Sequence, residues 1–155
     1  MTSMEQIVTM LRGLPGVLEL APERGSEFPE IAWGDHFFYF SPDGTVPNNR
    51  QPYATIVTKD YPDDVLSRLE APDRWRVNIH VGGARFEALL GFPPGAAHLD
   101  DRDFSEVDVI LPHPLYAAQG WVAVVNPGPR TKPRVLEELR LAHQADRRRV
   151  ERRAR

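Results

Sequence analysis

Alternation of apolar and polar residues is clearest over residues 76–81, which predict a strand with one apolar and one polar face. Three polar side chains share the second face: Arg76, Asn78 and His80. A pair of glycines follows at 82–83, and the amphipathic pattern after it predicts a short helix. A polar strand face that ends at a Gly-rich junction is interpreted either as a binding site or as a solvated face of the sheet.

A second strand is predicted over residues 31–40, where aromatic residues are dense. Alternation places Asp35, Phe37 and Tyr39 on one face and His36 and Phe38 on the other. Because both faces carry aromatic rings, we expect a central strand that is covered on both sides. Asp35 and His36 lie near the beginning of this strand, where polar side chains could face a cleft.

The full pattern predicts helices and strands in the order α-β-β-β-α-β-α-β-β-α. Predicted helices cover residues 5–12, 63–70 and 84–90 and a last segment from 131 or 132, and predicted strands cover 17–20, 31–40, 53–58, 76–81, 107–111 and 121–125. Several strands follow one another without a helix between them. This order indicates an α+β fold, with a single antiparallel-rich sheet packed against helices. We expect one domain over residues 1–146 and an Arg-rich tail over 147–155.

Composition narrows the class of protein. The chain has 155 residues and no cysteine, which excludes disulfides, thiolate nucleophiles and zinc-thiolate sites. No apolar run approaches the roughly 18 residues that a membrane-spanning helix needs. The first residues lack the basic and apolar regions of a signal peptide. We therefore expect a cytoplasmic protein without a membrane partner.

The charge is unevenly distributed. Six of the 19 basic residues lie within 147–155, leaving 13 basic and 21 acidic residues before position 147, a net charge of −8. One interpretation is a solvated helix end, where cationic side chains are favourable. The alternative is a nucleic-acid-binding arm that uses Arg147, Arg148, Arg149, Arg152 and Arg153. The acidic body, which would repel phosphate, favours the first interpretation.

Motifs for catalysis are weak in this chain. The five histidines (His36, His80, His98, His113 and His143) could in principle supply a metal-dependent enzyme, but no spacing among them is typical of a metal site. None of the serines lies in a Gly-x-Ser-x-Gly elbow, and the 82–83 glycines lack the Gly-Lys-Ser/Thr ending of a P-loop. We therefore expect no metal and no cofactor.

Three segments resemble an uncharacterised bacterial domain-of-unknown-function family of the DUF6194 type. They are residues 29–39 (PEIAWGDHFFY), 52–62 (PYATIVTKDYP) and 76–82 (RVNIHVG), and the resemblance covers about residues 4–145. It implies a single-domain protein and brings no activity, ligand or catalytic residue with it.

A more remote similarity is to the MmcQ/YjbR-like family, an α+β fold often labelled DNA-binding. It is carried by residues 113–116 (HPLY), by 120–124 (GWVAV) and by the apolar positions of the last helix. The acidic body and the long segment 92–103 depart from that family's pattern, so the resemblance supports the fold more than the binding of DNA.

Three functional hypotheses follow. The first is a non-enzymatic module for a small ligand or a protein partner, and its candidate binding residues are Asp35, His36, Arg76, Asn78, His80 and His113, with His80 lining the cleft. The second is an MmcQ/YjbR-like nucleic-acid-binding protein. The third is a metal-dependent enzyme that uses the strand-end histidines. We favour the first, and convergence of His36, His80 and His113 on one concavity would favour the third.

Overall fold

The computed structural model describes residues 1–96, 99 and 101–154, and among them six strands form one sheet. The helices are α1 (Ser3–Arg12), α2 (Gly82–Leu90) and α3 (Lys132–Arg153), and the strands are β1 (Val17–Leu20), β2 (His36–Phe40), β3 (Ala54–Val57), β4 (Arg76–His80), β5 (Leu111–Pro112) and β6 (Trp121–Val125). The strand order is β1-β2-β3-β4-β6-β5, and each pairing of these strands is antiparallel. The predicted α+β fold class is confirmed.

One face of the sheet is covered by the helices. Alternate residues of the strands point to this face and pack with apolar residues of α1, α2 and α3 into the main core: Ile7, Leu11, Phe38, Ile56, Val77, Ile79, Phe86, Val122, Val124, Val135 and Leu139. Each such side chain contributes roughly 1.5–3 kcal/mol when it is fully buried. The apolar face predicted for β4 is therefore the core face.

The predicted helix over 63–70 is wrong. The segment forms turns, and Val65 and Leu66, two of its three apolar residues, are more than half exposed. The backbone N–H of Leu69 donates to the Asp60 carboxylate (2.9 Å) instead of to a helical carbonyl, and Arg68 has a left-handed φ of 56°. Eight residues are too few to offset these local competitors, because the first turn of a helix is costly to form.

Two predicted strands are shorter than expected. Residues Glu30–Ala32 form a 3₁₀ turn, and Gly34 follows with a left-handed φ of 88°, so the aromatic strand begins only at His36. β2 also lies second from the edge, and the centre of the sheet belongs to β3 and β4. In the 107–111 segment only Leu111 belongs to a strand, while Val107 makes an isolated parallel bridge to Val125.

The Arg-rich segment continues the last helix. α3 runs without interruption to Arg153, and two arginines of the Arg-rich segment make ion pairs with acidic residues of the same helix. Arg147 contacts Glu151 at 2.5 Å and Arg149 contacts Asp146 at 3.3 Å. Among the helices in the described part of the chain, none combines the length and apolar composition needed to cross a bilayer.

Candidate ligand-binding site

The face of the sheet opposite the helices holds a cavity of about 640 Å³. Its floor is made by the alternate side chains of β2, β3, β4 and β6, namely those that point away from the main core. Its walls come from two loops, residues 61–64 and residues 113–121. The pleat of the sheet thus gives this face the polar residues predicted for β4, together with a set of aromatic rings.

The second wall is held in place by a close backbone approach. Gly120 has a φ of 86°, and a side chain there would meet the backbone of Gly82 at 3.1 Å. The Gly120 carbonyl accepts from the N–H groups of Val81 (3.0 Å) and Gly82 (3.1 Å). A glycine is required at position 120, because only glycine combines this φ with this proximity. The Gly-rich junction after β4 therefore anchors the 113–121 loop beside the cavity.

Arg76 is the centre of a buried polar network on the cavity floor. Its side chain is 2% exposed, and its guanidinium faces the Asp64 carboxylate with Nη1–Oδ1 at 2.9 Å and Nη2–Oδ2 at 2.5 Å. Nη1 also donates to Ser67 Oγ (2.9 Å), and Nε donates to Asn78 Oδ1 (2.7 Å). Burial alone would raise the pKa of Asp64, but the hydrogen bonds and charge of Arg76 lower it. The pair is therefore ionised and geometrically constrained.

His113 borders the same network from the neighbouring loop. It is 2% exposed, and its Nε2 lies 3.3 Å from Arg76 Nη2. Its Nδ1 accepts from the backbone N–H groups of Leu115 (3.0 Å) and Tyr116 (3.1 Å). Burial, followed by the nearby charge of Arg76, lowers the pKa of His113 to about 3. The ring is therefore neutral at physiological pH.

Aromatic rings supply most of the remaining wall. Five line the cavity: Phe37, Tyr39, Tyr61, Tyr116 and Trp121. Tyr116 stands at the entrance with 49% of its surface exposed, and its ring centroid lies 4.8 Å from that of His113. Such surfaces are suited to stacking on planar groups.

The six predicted site residues do not form one face. Arg76, Asn78 and His113 meet at the cavity, as described. His80 lies at the end of β4, where its Nε2 donates to the Gln119 carbonyl (3.0 Å) and its ring lies 5.4 Å from that of Trp121. It is not among the residues that line the cavity. Burial, followed by the charge of Arg149, lowers the pKa of His80.

Asp35 is buried behind one wall of the cavity. It is fully excluded from solvent and accepts from Thr58 N (2.8 Å), Thr58 Oγ1 (2.7 Å) and Lys59 Nζ (2.9 Å). It also accepts from the Tyr61 hydroxyl. Burial and this hydrogen bond raise the pKa of Tyr61. Asp35 therefore positions the Tyr61 ring on the cavity wall and does not itself line the cavity.

His36 points to the other face of the sheet. Its Nδ1 lies 2.7 Å from Glu19 Oε2, and Glu19 is also paired with Arg12 at 2.6 Å. Asp35 and His36 border a second cavity of about 520 Å³. Among the residues that the structure describes, no group of three or more His, Asp or Glu is placed to hold a metal ion. His36 and His113 lie on opposite faces, and His98 lies outside the described residues.

Sequence reasoning missed the residues that complete the network, above all Asp64 and Ser67. Both were assigned to a helix that does not form. The sequence does carry a signal for an ion pair here. An arginine on the polar face of a central strand needs a counter-ion, and residues 60–64, in the segment that leads to β4, carry three aspartates. Among the aromatic lining residues, Trp121 beside the 113–116 bend is a pocket candidate from the sequence, whereas Tyr61 is not.

The fold and the cavity together define a class of protein. Its members are α+β domains with one antiparallel sheet, and an aromatic cavity lies on the sheet face that the helices do not cover. Within this class, the chain belongs to DUF6194, a family of unknown function whose model matches residues 1–155. The resemblance to this family is confirmed, and the similarity to MmcQ/YjbR-like proteins stays a prediction. No curated protein and no solved structure matched the chain.

Proposed function

We propose that this protein is a non-enzymatic binding domain for a small molecule with a planar ring, which occupies the cavity on the open face of the sheet. The observation that carries the proposal is the juxtaposition of five aromatic side chains with a buried, ion-paired polar network in a cavity of about 640 Å³. Ligand sites are typically concave, of about 300–1,000 Å³, and mostly apolar with a few fixed polar groups.

The state of the polar groups favours binding over acid–base chemistry. His113 has a pKa of about 3, so it is a very weak base near pH 7. Asp64 is engaged by Arg76 through both carboxylate oxygens, at 2.9 and 2.5 Å. Groups that are locked together in this way orient a ligand at low entropic cost, because they are already ordered before it binds.

The proposal is tested with four soluble single-ring probes: benzamide, benzoate, benzylamine and toluene. Each is titrated into ¹⁵N-labelled protein while the backbone amide resonances are followed. We expect at least one probe to bind, with shifts concentrated at residues 55, 76, 78 and 113–121. Absence of binding at millimolar probe concentrations, or shifts scattered over the helices, would contradict the proposal.

A matched pair of variants locates the site. Tyr116→Ala removes a ring at the entrance, and we expect it to weaken probe binding about two- to tenfold, the range expected for one aromatic contact. Phe28→Ala is the control, because Phe28 is similarly exposed (44% against 49%) and does not line the cavity. Equal effects of the two substitutions would show that the probes bind elsewhere.

A further inference from the structure

The hydrogen bonds of His113 determine which ring nitrogen carries the proton. Nδ1 accepts from two backbone N–H groups, those of Leu115 at 3.0 Å and Tyr116 at 3.1 Å. A neutral imidazole has one nitrogen that accepts and one that donates. Placing the proton on Nδ1 would turn both backbone N–H groups toward another N–H, so the hydrogen-bond network assigns it to Nε2.

Nε2 then faces a second donor. The structure places Arg76 Nη2 at 3.3 Å from it, and a guanidinium has no acceptor. Four of the five N–H groups of Arg76 are accounted for by Asn78, Ser67 and the two oxygens of Asp64. The fifth, on Nη2, points toward His113. Two donors therefore converge, and neither satisfies the other.

Both donors are buried and both belong to the cavity. Arg76 and His113 are each 2% exposed, and each lines the cavity. A buried donor without an acceptor is costly. One acceptor atom on the cavity side, about 2.9 Å from each nitrogen and beside the line that joins them, would accept from both. The site is therefore complete only with an acceptor that His113 and Arg76 do not themselves provide.

We infer that the ligand carries a neutral carbonyl oxygen, and that this oxygen accepts hydrogen bonds from Arg76 Nη2 and His113 Nε2 while its ring lies among the aromatic walls. This inference rests on the proposed function and specifies the chemical class of the ligand as an aryl amide, aryl ketone or cyclic amide.

The charge distribution selects a neutral oxygen over an anionic one. Asp64 already compensates the guanidinium of Arg76, and His113 is neutral. Asp63 is exposed and adds a second carboxylate to the lining, so the lining residues themselves carry a net negative formal charge. A carboxylate ligand would be repelled, whereas a carbonyl oxygen gains both hydrogen bonds without adding charge.

The first test is the protonation state in the unliganded protein. Long-range ¹H–¹⁵N correlation spectra of the His113 ring distinguish the two neutral forms. We expect a protonated Nε2 and an unprotonated Nδ1 at pH 7. A protonated Nδ1 would overturn the inference, because Nε2 could then accept from Arg76 and no second acceptor would be needed.

The second test compares probes across two variants. His113→Asn keeps an acceptor in the position of Nδ1 and lacks the Nε2 donor, whereas His113→Gln places a donor near Nε2. In the unsubstituted protein we expect benzamide to bind more tightly than benzoate. We also expect the affinity ratio of benzamide to toluene to fall about three- to tenfold in His113→Asn, as for the loss of one hydrogen bond, and to recover in part in His113→Gln.

The outcomes separate this inference from the proposed function. Binding of the rings with the same benzamide-to-toluene ratio in the unsubstituted protein and in His113→Asn would refute the carbonyl and leave the binding domain intact, with water as the acceptor. Preference for benzoate would refute the neutral class. Binding of no probe would refute both. If neither variant folds, two measurements on the unsubstituted protein still decide the inference. They are its preference for benzamide over benzoate and the ¹H–¹⁵N correlation spectra of the His113 ring.

Discussion

The two faces of the sheet are made by the same strands, but one is mainly apolar and helix-covered whereas the other combines aromatic rings with a buried polar network. On β2, Phe38 points into the helix-covered core and is fully buried, whereas its neighbour Phe37 points into the cavity and is half-buried. On β4, Val77 lies in the core and Arg76 lies in the cavity floor. One face thus stabilises the fold by apolar burial, and the other holds polar groups whose burial depends on hydrogen bonds.

This difference shows how one sheet can bury a polar network on one face while its other face supplies the apolar core. The apolar face has no need of specific partners, because its contribution is roughly proportional to buried area. The polar face needs each partner in place, because a buried charge without its counter-ion is strongly destabilising. The two faces should therefore respond differently to substitutions of the same size.

The largest expected effect is on the core face. Phe38→Ala should lower the free energy of unfolding by about 3–5 kcal/mol, since it removes a fully buried ring from the main core. Phe37→Ala, the matched substitution on the cavity face, should cost about 1–2 kcal/mol, because part of that ring already contacts solvent. Chemical denaturation of both variants measures the difference. Equal losses would mean that the open face contributes as much apolar burial as the covered one.

The next effect concerns the ion pair on the polar face. Arg76→Met should lower the free energy of unfolding by about 3 kcal/mol, because Asp64 would remain partly buried without its counter-ion. The double variant Arg76→Met/Asp64→Leu should recover much of that loss, since the charge left uncompensated is also removed. Urea denaturation of the single and double variants gives the comparison. A double variant that is less stable than the single one would show that the uncompensated charge of Asp64 is not the cause of the loss.

Much of the difference between the apolar and the polar face of the sheet could be predicted from the alternation of apolar and polar residues in the sequence. The strand at 17–20 and the strand at 121–125 were predicted with the bounds that the structure shows, and the polar face of β4 holds Arg76 and Asn78 as predicted. These elements were predictable because side chains in a strand alternate with a fixed period of two. The family resemblance implies a single domain, which stays a prediction, and it brings no ligand.

The wall of the cavity could not be predicted in the same way. The apolar spacing of the 58–75 loop indicates a helix, but its conformation depends on single side chains. Asp60 accepts from the Leu69 N–H within the loop, and Asp64 accepts from Arg76 on β4. Asp35 borders the second cavity, and its buried carboxylate also accepts from the Tyr61 hydroxyl on the wall of the first. Interactions of this kind connect residues that are far apart in sequence, and no local pattern encodes them.

The smallest expected effect comes from the protonation of His113. In the unfolded chain its pKa would have the ordinary value of 6.5, whereas in the folded protein burial and the charge of Arg76 lower it to about 3. Between these values the unfolded state binds a proton that the folded state does not, so stability falls as pH falls below 6.5. At pH 5 the contribution of this group amounts to about 2 kcal/mol, at about 1.4 kcal/mol per pH unit.

His80 and His143 also have lowered pKa values and act in the same direction. The dependence of the unfolding free energy on pH is therefore not due to His113 alone. His113→Asn isolates its share, because asparagine preserves the acceptor for the 115–116 backbone and does not titrate. We expect the free energy of unfolding of this variant to decline less steeply between pH 7 and pH 5 than that of the unsubstituted protein. Parallel pH profiles for the two proteins would show that His113 titrates normally, and therefore that the cavity floor is open to water.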